Sequence, residues 1–182
     1  MHFFSKRAVI LGVVASLGFA GTAQAATDDT SVTLTGGAIT LAAPLFGDFP
    51  GAALTGSAGS QDASVSDWGV NDLSGSGLGY EVSMAASDPS TGGGTPIVMT
   101  DAVLTVAEPV ASAVDVTNAS AAPTTLGGDI STGVTVANAG ADAGMGDWNF
   151  AQGATDLTLD TPANARAGTY SSTITTTLTP GV

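Results

Sequence analysis

From residue 169 to residue 178 the side chains change character at every step. Tyr170, Ser172, Ile174, Thr176 and Leu178 fall on one side of an extended chain, and Ser171, Thr173, Thr175 and Thr177 on the other. A period of two with β-branched residues on both sides marks a half-buried strand, because successive side chains of a strand point to opposite faces. The pattern predicts that Tyr170, Ile174 and Leu178 are buried together. Shorter runs of the same kind occur at residues 31–34 with 39–41, 79–85, 101–107, 113–117, 133–137 and 155–159, with Gly, Pro and Asp between them. In the second of these, Tyr80, Val82 and Met84 share the apolar side and Glu81 lies on the polar one. No stretch carries a long helical period. Many short strands joined by turn residues predict an all-β chain folded as a single antiparallel β-sandwich. Residues 44–59 and 87–96, rich in Pro and Gly, read as loops.

The amino terminus predicts export. Lys6 and Arg7 precede an apolar run that starts at Ala8, and Ala23-Gln24-Ala25 forms a small-x-small cleavage signature. The apolar run is broken by Gly12, Ser16, Gly18 and Gly21. It is shorter than the ~20 residues that span a bilayer comfortably, so it reads as a signal peptide over residues 1–25 rather than an anchor. No membrane insertion is expected after cleavage. The domain expected to remain is residues 26–182, about one domain's length. The chain has no Cys, so it folds without disulfides although an exported protein is free to form them.

Charge and missing residue types exclude much chemistry. The chain carries three basic and 16 acidic residues, a formal net charge of −13. Loss of Lys6 and Arg7 with the leader takes this to −15 and leaves Arg166 as the only basic side chain. Nucleic acids and anionic lipid surfaces are poor partners, since binding either needs several Lys or Arg at phosphates. His2 also lies in the leader, so residues 26–182 contain no His, Lys or Cys. That removes Ser-His-Asp and Cys-His nucleophiles, Schiff-base lysines, phosphate-binding loops of the usual kind, and the ordinary zinc ligands. Glu81 and Glu108 are the only glutamates, and no sequence signal pairs them for glycoside hydrolysis. The expectation is that the protein is not an enzyme.

Three stretches together resemble a known family. They are Trp68-Gly69-Val70-Asn71-Asp72 leading to Tyr80-Glu81-Val82, then Gly144-Met145-Gly146-Asp147-Trp148-Asn149-Phe150, then Ala167-Gly168-Thr169-Tyr170 leading to Thr176-Thr177-Leu178. In this order and spacing the chain is similar to the WxL-domain surface proteins of Gram-positive bacteria. The resemblance implies an exported protein held non-covalently at the cell wall by contact with peptidoglycan. The Trp-x-Leu motifs that name the family fall on Tyr80-Glu81-Val82 and Thr176-Thr177-Leu178, so both motif tryptophans are replaced here. Thr176 shares the alternating face of Ile174 and Leu178, which favours a packing role for that position.

The candidate ligand-binding residues are Trp68, Tyr80, Trp148 and Arg166. Aromatic rings of a sandwich commonly fill its core, yet they also stack on sugar faces, and both Trp sit beside Asp and Gly in turn-like sequence where binding residues concentrate. Arg166 is placed to pair with a carboxylate of a wall peptide or with a nearby Asp. Asp67, Asp72, Asp142 and Asp147 are the candidates for a Ca2+ site, although isolated turn aspartates more often cap turns. No other cofactor is expected. Two functions follow: a non-catalytic surface protein that associates with peptidoglycan or with another cell-surface protein, or a structural subunit that assembles through its edge strands into a surface layer or fibre.

Overall fold

The computed structural model describes residues 30–181, and the described residues from Leu34 onward form one unit. The leader expected over residues 1–25 lies outside the described residues. The described residues contain no helix. Among the described residues fourteen strands follow one another: β1 (Ile39–Ala42), β2 (Gly59–Ala63), β3 (Trp68–Asp72), β4 (Tyr80–Ala86), β5 (Ser90–Thr91), β6 (Val103–Val106), β7 (Val110–Ala113), β8 (Thr124–Thr125), β9 (Gly128–Asp129), β10 (Val134–Ala139), β11 (Gly146–Ala151), β12 (Leu157–Thr161), β13 (Tyr170–Ser171) and β14 (Ile174–Pro180).

The all-β expectation holds, and every strand pair is antiparallel. The first sheet runs β1-β3-β11-β7 and the second β14-β4-β10-β8. These two face each other in the same order, with β1 beside β14 at one margin and β7 beside β8 at the other. That is the sandwich. A third sheet, β2-β12-β6-β9, joins it where β9 meets β10, and β13 pairs with β5 as a separate ribbon.

Alternation puts one core between the layers. Trp68 and Val70 of β3, Tyr80, Val82 and Met84 of β4, Leu104 and Val106 of β6, Trp148 and Phe150 of β11, and Leu157 of β12 belong to a single buried cluster. In β10 the alternation fails, because Val136 and Ala137 are both buried. The register against β4 slips between Thr135 and Ala137, so a β-bulge at Val136 turns two consecutive side chains inward.

Three sequence expectations are corrected. Residues 31–34 are exposed and form no strand. In the run at 113–117 the strand lies earlier, at β7, and the rest turns where the Asp115 carboxylate accepts the Thr117 amide and hydroxyl at 2.8 Å each. The long final strand is broken at Ser172 and Thr173: Ser87 ties down this point, its hydroxyl accepting the Thr173 amide and its carbonyl the Ser172 hydroxyl. Tyr170 therefore leaves with β13 to pair with Thr91, whereas Ile174 and Leu178 stay half-buried against the core.

Candidate functional site

Folding brings the two motif segments side by side. β4 and β14 are hydrogen-bonded neighbours, with Leu178 directly opposite Val82 and Pro180 opposite Tyr80. The two Trp-x-Leu positions thus form one cross-strand patch whose last residues touch across the ladder. β4 is interior to its sheet and β14 is an edge.

Tyr80 occupies a fitted seat in this patch and is fully buried. Gly79 has φ of +75°, and a Cβ there would overlap the backbone oxygens of Ala139 and Gly140. Gly144, at φ +67°, lies so close that a Cβ would come within 2.8 Å of the Tyr80 ring. Glycine is required at both places, for its backbone freedom and for its missing side chain. The Tyr80 hydroxyl has no hydrogen-bond partner among the described residues. Burial pushes its ionisation far above the ordinary tyrosine range, and the negative charge of Asp72 pushes it further in the same direction.

Trp68 and Trp148 sit on the inner side of the first sheet, on the adjacent strands β3 and β11. Trp68 is 2% exposed and stacks on Phe150 with ring centroids 4.0 Å apart and planes 8° from parallel. Its indole N–H donates to Gln152 Oε1 at 3.2 Å, and that of Trp148 donates to the Met145 carbonyl at 3.1 Å. Their turn-like flanks had suggested loops. The backbone instead stays extended, because Trp68, Val70 and Asp72 on β3 and Trp148 and Phe150 on β11 alternate inward. That alternation was the available signal for both strands, hidden by the neighbouring Gly, Asn and Asp.

The four candidate aspartates do not gather, and among the described residues no group of three or more His, Cys, Asp or Glu is placed to hold a metal ion. Asp72 is buried and binds its own turn, accepting the Ser74 amide at 2.9 Å and the Ser74 hydroxyl at 2.6 Å. Asp67 accepts the Gln152 amide at 3.0 Å. Asp142 holds a left-handed conformation, φ 61°, with its carboxyl beside Gly77. Asp147 is exposed on β11. Glu81 is half-buried on β4, and the exposed Glu108 accepts the Thr125 hydroxyl at 2.8 Å.

Of the four ligand-binding candidates, Arg166 alone lies on the surface. It is exposed and lines a shallow groove of about 180 Å3 together with Ile97, Met99, Asp101 and Tyr170. The Tyr170 hydroxyl donates to the Arg166 carbonyl at 2.8 Å, which fixes the turn that carries the guanidinium. The groove joins residues distant in sequence, and nothing in the local pattern of residues 97–101 announced it. It offers one cation, one carboxylate and an aromatic wall.

A family model described as a WxL domain, surface cell wall-binding, matches residues 51–180. No curated protein and no solved structure matches the chain.

Proposed function

The chain belongs to the WxL family of surface, cell wall-binding domains, and on that premise we propose that it is a non-catalytic protein that holds the wall by contacting peptidoglycan in the groove at Arg166. The carrying observation is the position of that arginine. It is the sole cation of residues 26–182 and it stands exposed beside the half-buried ring of Tyr170. Trp68, Tyr80 and Trp148 are covered on all sides, so they support the sheets from within.

The chemistry of the groove selects the peptide part of the wall. A guanidinium offers a planar fork of donors that fits a carboxylate, Asp101 in the same groove fits an ammonium, and Tyr170 with Ile97 gives an apolar wall for short alkyl side chains. Stem peptides carry all three groups. The strongly acidic surface disfavours approach to anionic wall polymers, so contact depends on this local exception.

Sedimentation with purified peptidoglycan tests the reading. The wild-type chain pellets with the wall material, and Arg166→Gln weakens binding about two- to fivefold, the range expected for one exposed ion pair. Short peptides with a free carboxylate compete, and their amidated forms do not. Binding that is indifferent to Arg166→Gln and to competing peptides would remove the groove from the account. A wild-type chain that stays in the supernatant would remove peptidoglycan.

A further inference from the structure

β14 is the longest edge strand of the fold, seven residues against five or fewer for β1, β2, β7, β8 and β9. Among the described residues no strand pairs with its far side. The ladder with β4 fixes which backbone groups are free there. The Ser87 amide bonds the Thr173 carbonyl and the Gly181 amide bonds the Gly79 carbonyl, both at 2.9 Å. In an antiparallel ladder, residues alternate between bonding the partner and pointing away from it. Residues 173, 175, 177, 179 and 181 therefore bond β4, and Ile174, Thr176 and Leu178 direct their N–H and C=O outward. Pro180 ends the series, having no N–H to offer.

Long open edges are a hazard that proteins usually blunt with charge, bulges or short length. β14 carries no charged residue and has a regular register, so nothing but Pro180 blunts it. The edge is also complementary to itself. Antiparallel pairing about Thr176 sets Ile174 against Leu178 of a second copy, Thr176 against Thr176, and Leu178 against Ile174, which satisfies the outward N–H and C=O of these three residues in both strands. On the exposed side Thr175 then meets Thr177 of the other copy twice, as close pairs of β-branched residues. A chain with a net charge of −13 meets its like with least repulsion where the charge is nil, and β14 is such a place. From this we infer that the protein pairs with a second copy of itself through β14, forming a two-fold dimer in which the two β14-β4-β10-β8 sheets run on as one. The contact is isologous, so it closes and does not propagate into a fibre.

The substitution Thr176→Pro removes an outward N–H and leaves the β4 ladder intact, a placement that edge strands tolerate. Light scattering on the purified chain gives twice the monomer mass for the wild type and the monomer mass for Thr176→Pro, with unchanged far-ultraviolet circular dichroism. The second arm is the double variant Thr175→Cys with Thr177→Cys. The chain has no cysteine of its own, and the pairing brings position 175 against position 177 of the other copy. Oxidation then yields a covalent dimer on a non-reducing gel. A wild-type monomer at 0.1 mM, about the range where weak pairing is populated, overturns the inference and leaves the edge for a foreign strand. A Thr176→Pro dimer, or a cysteine pair that fails to cross-link, overturns it as well. If Thr176→Pro does not fold, the cysteine pair decides alone.

Discussion

Replacing Trp68 by Ala separates a core residue from a ligand contact. The ring is 2% exposed and lies flat on Phe150, 4.0 Å away. Truncating a buried Trp to Ala costs about 3–5 kcal/mol through lost transfer energy and the cavity left behind. The lost stack contributes about 0.5–1.5 kcal/mol within that total, since aromatic pairs add roughly this much beyond their area. The indole N–H to Gln152 adds little, because Gln152 is only half-buried and turns to water when its donor is gone. A domain of this size has about 5–15 kcal/mol to lose, so the variant folds but with a much lower midpoint. Urea unfolding followed by circular dichroism and by fluorescence measures this. With two Trp in the chain, Trp148 becomes the sole indole reporter. Trp68→Phe keeps the stack and is expected to lose about 1–2 kcal/mol, near the middle of the range for ordinary substitutions. A Trp68→Ala loss under about 0.5 kcal/mol, the surface range, together with lost wall binding, would refute the core assignment and return Trp68 to the ligand.

Three further outcomes are expected. Gly79→Ala destabilises by at least about 3 kcal/mol, because its φ of +75° and the oxygens of Ala139 and Gly140 oppose a Cβ together; a thermal midpoint within two or three degrees of wild type, less than about 1 kcal/mol for a domain of this length, would show that the backbone yields there. Tyr80→Phe is neutral or stabilising at neutral pH by up to about 1 kcal/mol, since the hydroxyl it removes is buried without a partner. The same variant bears on alkaline unfolding. The folded Tyr80 ionises well above its ordinary 10.0, so only the unfolded chain loses that proton as pH passes 10, and stability falls from there upward; a Tyr80→Phe chain that unfolds at the same alkaline pH as wild type would contradict this. Leu178→Ala costs about 1–2 kcal/mol, below the range for fully buried leucines, because the side chain is half-exposed opposite Val82; a loss above about 4 kcal/mol in denaturant unfolding would contradict the half-exposed placement of this side chain.

Part of this was legible in the residues alone. Period-two runs set the fold class, and they located β4, β6, β10, β12 and β14 to within a few residues, because alternation is a local property that each strand carries with it. The three stretches that resemble the WxL family announced the family that the matching model identifies. Composition narrowed the chemistry open to residues 26–182, which hold no His, Lys or Cys, so a reaction that needs one of those side chains finds none there. Tertiary structure decided the rest. Trp68 and Trp148 looked like loop residues because their neighbours favour turns, and only pairing β3 with β11 and packing them on the facing sheet turned the rings inward. The break at Ser172 and Thr173 is made by Ser87, far off in the chain, so no reading of the last strand could have separated Tyr170 from Ile174. The groove at Arg166 and the meeting of Val82 with Leu178 are likewise contacts between distant segments. A pattern within one segment says which way its side chains alternate, but which neighbour covers each face is settled only when the whole chain has closed on its core.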